Sequence, residues 1–132
     1  MTIKEFKNMV QPKTKYNSQK VTVGGETFDS HKEYRRFWEL KLLQRAGRIS
    51  DLQRQVEFVL IPTQREPDVI GPRGGVKKGL LLEKECTYYA DFVYINDKGE
   101  KVVEDTKGVK TEAYNIKRKL MLYVHGIRIK EI

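Results

Sequence analysis

Glu83-Lys-Glu-Cys-Thr-Tyr-Tyr-Ala-Asp91-Phe-Val-Tyr-Ile95, followed by Asn96-Asp-Lys-Gly99 and Glu100-Lys-Val-Val-Glu-Asp105-Thr-Lys107-Gly108, is the stretch on which the fold turns. Residues 83–95 are rich in Tyr, Phe, Val and Thr, which suits a long strand. Asp97-Lys98-Gly99 reads as a turn, residues 100–107 as a second strand, and Gly108 as its break. A three-residue loop with Gly99 left-handed pairs Asn96 with Glu100, Val93 with Val103, and Asp91 with Asp105. Opposed residues share a sheet face, and Lys107 follows Asp105 at the i+2 spacing that stays on that face, about 6.5–7 Å on. Asp91, Asp105 and Lys107 are thereby expected to converge. A two- or four-residue loop would slip the pairing by one, oppose Asp91 to Glu104 and turn Asp105 away.

Outward from the hairpin, helical and extended patterns alternate. Val21 to Phe28 reads as a small hairpin turning at Gly24-Gly25. Ser30-His-Lys-Glu33 fits a capping box that opens a helix running to about Ala46, with Gly47 as its stop. Phe37, Trp38, Leu40, Leu42 and Leu43 supply its expected packing surface, and Glu33, Phe37, Leu40 and Gln44 form a stripe along it. Residues 54–61 read as a strand ended by Pro62, and residues 62–82 as a Pro- and Gly-rich loop excursion. Gly71-Pro-Arg-Gly-Gly75 lacks the Gly-Lys-Ser/Thr ending of a phosphate-binding loop. Beyond Gly108, Thr111 is placed to cap a second helix through about Val124, with Ala113, Ile116, Leu120, Tyr123 and Val124 on its expected buried side. Gly126 ends it, and Ile127 to Ile132 alternates as a last strand. The expected fold is α/β, a mixed central sheet flanked by two helices in the order α-β-β-β-α-β, as one domain over 18–132 behind a basic arm at 1–17.

The chain of 132 residues suits one core, and 26 Lys and Arg against 18 Asp and Glu leave a net charge of +8. Such a surface fits an acidic polymer, and equally a soluble basic protein without one. A single cysteine, Cys86, excludes an internal disulfide and a thiolate zinc cluster, and His31 and His125 are the only imidazoles. Any metal must therefore be held by carboxylate oxygens, which suits Mg²⁺ or Mn²⁺. No signal peptide or membrane-length apolar run is present, so a cytoplasmic location is expected.

Two carboxylates opposed across a ladder repel, and a divalent cation would relieve that. With a lysine beside them, the group has what Mg²⁺-assisted phosphodiester hydrolysis needs: converging acidic oxygens and a cation for the attacking water and developing charge. Glu33 shares a helix face with apolar residues, which fits either a fourth site residue or a helix cap alone. Gln55 could reach the site from the preceding strand, although a strand glutamine is usually structural. Lys110, Lys117 and Arg118 surround the second helix, where they could contact phosphates or form a solvated face.

The run Tyr88-Tyr-Ala-Asp91, a hairpin, then Val102-Val-Glu-Asp105-Thr-Lys107-Gly108 resembles the signature of the PD-(D/E)xK nuclease superfamily. The upstream Phe28-Asp-Ser-His-Lys-Glu33 is similar to small phage and prophage members and to the first helix of archaeal Holliday junction resolvases. The family's proline is replaced by Ala90. The resemblance implies a restriction-endonuclease-like fold in which Asp91 and Asp105 ligate the metal. Lys107 would position or activate the water, and Glu33 would complete the site. It further implies a Mg²⁺-dependent DNA endonuclease acting on branched recombination intermediates as a homodimer. The rival readings are a non-catalytic DNA-binding protein on the same fold and a basic RNA-binding or virion-assembly protein.

Overall fold

The computed structural model describes residues 20–132, so the arm expected over 1–17 lies outside the described residues. The elements are β1 (Val21–Val23), β2 (Glu26–Phe28), α1 (His31–Arg45), β3 (Ser50–Ile61), β4 (Gln64–Arg65), β5 (Val69–Ile70), β6 (Val76–Lys77), β7 (Leu81–Glu83), β8 (Cys86–Ile95), β9 (Lys101–Asp105), α2 (Glu112–His125) and β10 (Lys130–Glu131). The central sheet runs β10-β9-β8-β3. β3, β8 and β9 are antiparallel neighbours, while β10 joins β9 in parallel after the α2 crossover, so the sheet is mixed.

The hairpin takes the three-residue register. Val93 pairs with Val103 and Phe92 with Glu104. Gly99 has φ +78°, and the Asn96 N–H donates to the Glu100 carbonyl at 2.9 Å. The Asn96 side chain also accepts from the N–H groups of Lys98 and Glu100, which braces the turn. The second strand stops at Asp105, so Thr106 and Lys107 lie just beyond the ladder.

The helices cover opposite faces of the sheet. Val93 and Val103 belong to a core with Tyr114 and Met121 of α2, whereas the adjacent Phe92 and Tyr94 belong to one with Phe37 and Leu40 of α1. Glu104, on the α1 side, is fully buried. It accepts two 2.8 Å bonds from Arg36 of α1 and one from the Tyr94 hydroxyl, which ties the helix to the sheet. Arg36 is pushed above its ordinary range mainly by its bond to Glu104, and burial pushes the Tyr94 hydroxyl up to about 12.

Several expectations are corrected. β3 begins at Ser50 rather than Arg54, and β10 is shorter than the alternation over 127–132 suggested. Trp38, Leu42 and Leu43 are exposed, because α1 turns the Glu33-Phe37-Leu40 line inward. Ile116, Tyr123 and Val124 are also exposed. Tyr114 and Met121 face the sheet instead, about 200° round the helix from Ile116 and Tyr123. The excursion at 62–82 carries structure of its own: β4 pairs with β7 and β5 with β6, forming a ribbon.

One irregularity shapes the middle of the sheet. Leu52 and Arg54 of β3 pack towards α1, whereas Val56, Phe58 and Leu60 pack in the α2 core. Alternate residues of an even strand would stay on one face. β8 does the same: Tyr88 and Ala90 join the α2 core, while Phe92 and Tyr94 join the α1 core. Between them stand Gln55, at φ +50°, and Asp91. The flanking pairs Arg54↔Phe92 and Val56↔Ala90 put these two residues opposite each other. Both strands thus exchange faces together at one point.

Candidate active site

That crossing point carries the polar cluster. Asp91 is buried inside a run of apolar strand residues, an arrangement that requires partners. Its Oδ2 accepts from the Thr106 N–H at 2.9 Å and the Thr106 hydroxyl at 2.8 Å. Its Oδ1 accepts from Gln55 Nε2 at 3.3 Å, and the same nitrogen donates to Glu33 Oε1 at 3.0 Å. Gln55 therefore clips the first-helix glutamate to the strand aspartate.

Glu33 is 1% exposed. Ser30 caps α1 by accepting the Glu33 N–H, as a capping box requires, but the Glu33 carboxylate reaches back to the Asp29 N–H at 2.9 Å. One Glu33 oxygen thus braces the residue before the cap while the other accepts from Gln55. Burial first, and the charge of Asp91 second, raise its pKa above the ordinary carboxylate value. One oxygen from each of Asp29, Glu33 and Asp91 lies within 4.8 Å of the others, and this is the single such trio of acids among the described residues.

Asp105 adjoins this trio without joining it at that spacing. It is fully buried at the end of β9, its Oδ2 accepting from the Tyr88 hydroxyl at 2.5 Å. Among the described residues its Oδ1 has no hydrogen-bond partner, and Lys107 Nζ lies 3.6 Å from it. Burial, then the negative charge of Asp91, push its pKa up to about 7, against the pull of Tyr88 and Lys107. Tyr88 is raised in turn, by burial and then by Asp105. The Lys107 ammonium also sits 5.2 Å from the centre of the Tyr114 ring.

Asp29, Glu33, Asp91, Lys107 and Tyr114 border a cleft of about 220 Å³ between the start of α1 and the loop after β9, and the fully buried Asp105 does not line it. A neighbouring hollow of about 420 Å³ extends it past Gln55, Tyr89 and Lys117. Of the expected phosphate contacts, Lys117 lines this hollow. Lys110 and Arg118 are instead paired with Glu131, at 2.9 and 3.6 Å.

The donor set fits a hard divalent cation. Its acidic members offer oxygen only, and Asp105 holds a buried oxygen that accepts no hydrogen bond from the described residues. Three partners were not foreseen as site members: Asp29, Thr106, and Tyr88 in its bond to Asp105. Asp29 directly precedes the capping box and Thr106 is the middle residue of Asp-x-Lys, so both stood beside recognised motifs. The role of Gln55 depends on a backbone conformation that no side-chain pattern announces.

Residues 13–130 match a family model described as "protein of unknown function (DUF1064)". No curated protein and no solved structure matches the chain. The match spans most of the sequence, and the chain belongs to this DUF1064 family.

Proposed function

We propose that this DUF1064 protein is a metal-dependent nuclease that hydrolyses DNA phosphodiester bonds on a restriction-endonuclease-like fold. The observation that carries the reading is the buried Oδ1 of Asp105, without a hydrogen-bond partner among the described residues, beside Asp91 and the Lys107 ammonium. Stability alone disfavours two buried carboxylates side by side. A site for a divalent cation gives them a purpose.

Asp91 and Asp105 would hold Mg²⁺ or Mn²⁺, with Glu33 and Asp29 completing an oxygen set from the other wall of the cleft. When bound, the ion supplies Lewis-acid stabilisation of a phosphate oxygen and a more acidic water. Lys107, at the cleft edge, holds the attacking water or a non-bridging phosphate oxygen by charge and hydrogen bonding. Tyr88 fixes the Asp105 carboxylate, Thr106 fixes that of Asp91, and Gln55 fixes Glu33 against Asp91. These bonds pre-set the acids, so that less reorganisation is left to the reaction. The net charge of +8 favours approach of a polyanion, and a branched recombination intermediate is the DNA substrate proposed. A homodimer would match the two symmetric strands of a junction.

The test is cleavage of linear, flapped and four-way DNA with and without Mg²⁺ or Mn²⁺. The proposal expects cation-dependent cleavage that Lys107→Ala lowers by about 10²–10³-fold while binding persists. DNA binding with no cleavage of any substrate would favour the non-catalytic reading.

A further inference from the structure

The ribbon of β4 to β7 is stiff yet leaves its apolar residues uncovered. Gly79 packs so closely that an added Cβ would lie 1.8 Å from the Glu66 carbonyl oxygen. The Gly79 N–H donates to Asp68 at 2.9 Å, and Arg65 donates to the Gly79 carbonyl at 3.2 Å. At the tip, Gly71 to Gly74 form a turn closed by a 3.0 Å bond, with Pro72 at the position where its fixed φ suits a turn. Ile70 pairs directly with Val76, so both side chains share a face, and they are 74% and 71% exposed. Val69 lies across from Lys77 on the other face.

Charge selects the occupant. Between Asp68 and Glu83 the chain has no acid, while Arg73, Lys77 and Lys78 are exposed around the apolar pair. A second copy of this chain would bring the same positive charge against itself. A nucleic-acid duplex brings phosphates for the cations and base faces for the apolar tip. Side chains such as Ile and Pro are the kind that wedge into base steps where a strand is bent or opened. The ribbon grows from the β3–β8 ladder, whose last pair is Ile61↔Cys86. Its root therefore stands six residues from Gln55, about 20 Å along the strand.

We infer that the ribbon is a DNA-engaging arm. Pro72, Ile70 and Val76 lie against an opened base step, and Arg73, Lys77 and Lys78 hold the flanking phosphates. The inference rests on the reading of the protein as DNA-directed and names the feature it selects, a duplex already bent or branched.

The experiment uses the full chain in EDTA, where cleavage is off. Wild type, Arg73→Ala/Lys77→Ala/Lys78→Ala and Ile70→Ser/Val76→Ser are titrated with a four-way DNA junction carrying 2-aminopurine at the crossover. Every substituted residue is exposed, so folding is not at stake. Wild type is expected to raise the fluorescence as a base unstacks. The charge variant should flatten the slope of log K against log salt by about 3, roughly one for each phosphate left without its cation. The apolar variant should keep that slope and lose the fluorescence rise. No rise with wild type, or both variants behaving as wild type, overturns the inference. So does a change in sedimentation of the apolar variant with its DNA response intact, which would make the ribbon an interface between copies. Ribbon-dependent unstacking in a protein that cleaves nothing with Mg²⁺ or Mn²⁺ leaves the arm standing and sinks the nuclease reading alone.

Discussion

Replacing Asp105 by Asn should stabilise the metal-free protein above neutral pH, although it removes a central residue of the proposed site. In the fold, burial and the neighbouring charge of Asp91 raise the Asp105 carboxyl from 3.8 to about 7. Between those values the native state holds a proton that the unfolded state has released, so stability falls as pH rises. At about 1.4 kcal/mol per pH unit, the loss is bounded near 4 kcal/mol once pH exceeds 7. Asn is neutral throughout and can still accept the Tyr88 bond, but it forgoes the attraction of Lys107. The net gain at pH 8 is therefore expected at roughly 2–4 kcal/mol, vanishing below pH 4. Urea denaturation of both proteins in EDTA at pH 4, 6 and 8 reads this directly. Added Mg²⁺ should then raise the wild-type midpoint and leave that of the variant nearly unmoved, because binding to the native state adds stability in proportion to affinity. An Asn variant no more stable than wild type at pH 8, or a difference that does not vary with pH, would refute the electrostatic account of this carboxylate.

Lys107→Ala should lower cleavage by about 10²–10³-fold, the loss typical of one group aimed at developing charge, as read from single-turnover rates at saturating DNA. Arg36→Ala leaves the buried Glu104 without its guanidinium and should destabilise the fold by about 3–5 kcal/mol in urea. Gln55→Ala removes the clip between Glu33 and Asp91. The cation concentration for half-maximal cleavage is expected to rise roughly 10–100-fold, as for other groups that orient metal ligands, and an unchanged requirement would deny Gln55 that part.

The parts of this protein governed by local chemistry were legible in the sequence. Gly99 announced a left-handed turn position, and the hairpin register follows from it. Ser30 and Thr111 announced two helix starts, and each side chain accepts the N–H three residues on. What escaped depends on tertiary contacts. The apolar residues of α2 read as a stripe through Ile116 and Tyr123, but Tyr114 and Met121 fill the space above Tyr88, Val93 and Val103, and that decides how the helix is rolled. Proline and glycine marked 62–82 as irregular without showing that its strands pair with one another. In the site, Asp91 and Asp105 adjoin as expected, yet the tight trio forms with Asp29 and Glu33. Gln55 enters through a left-handed backbone at the point where β3 and β8 both exchange faces.

The measurement that bears most directly on the proposed activity is DNA cleavage by wild type and Asp105→Ala, side by side, with Mg²⁺, with Mn²⁺ and in EDTA, with DNA binding recorded for each. The account expects cleavage by wild type only with a cation, none by the variant, and DNA binding by both. Equal cleavage by the variant, or cleavage that survives EDTA, would contradict it.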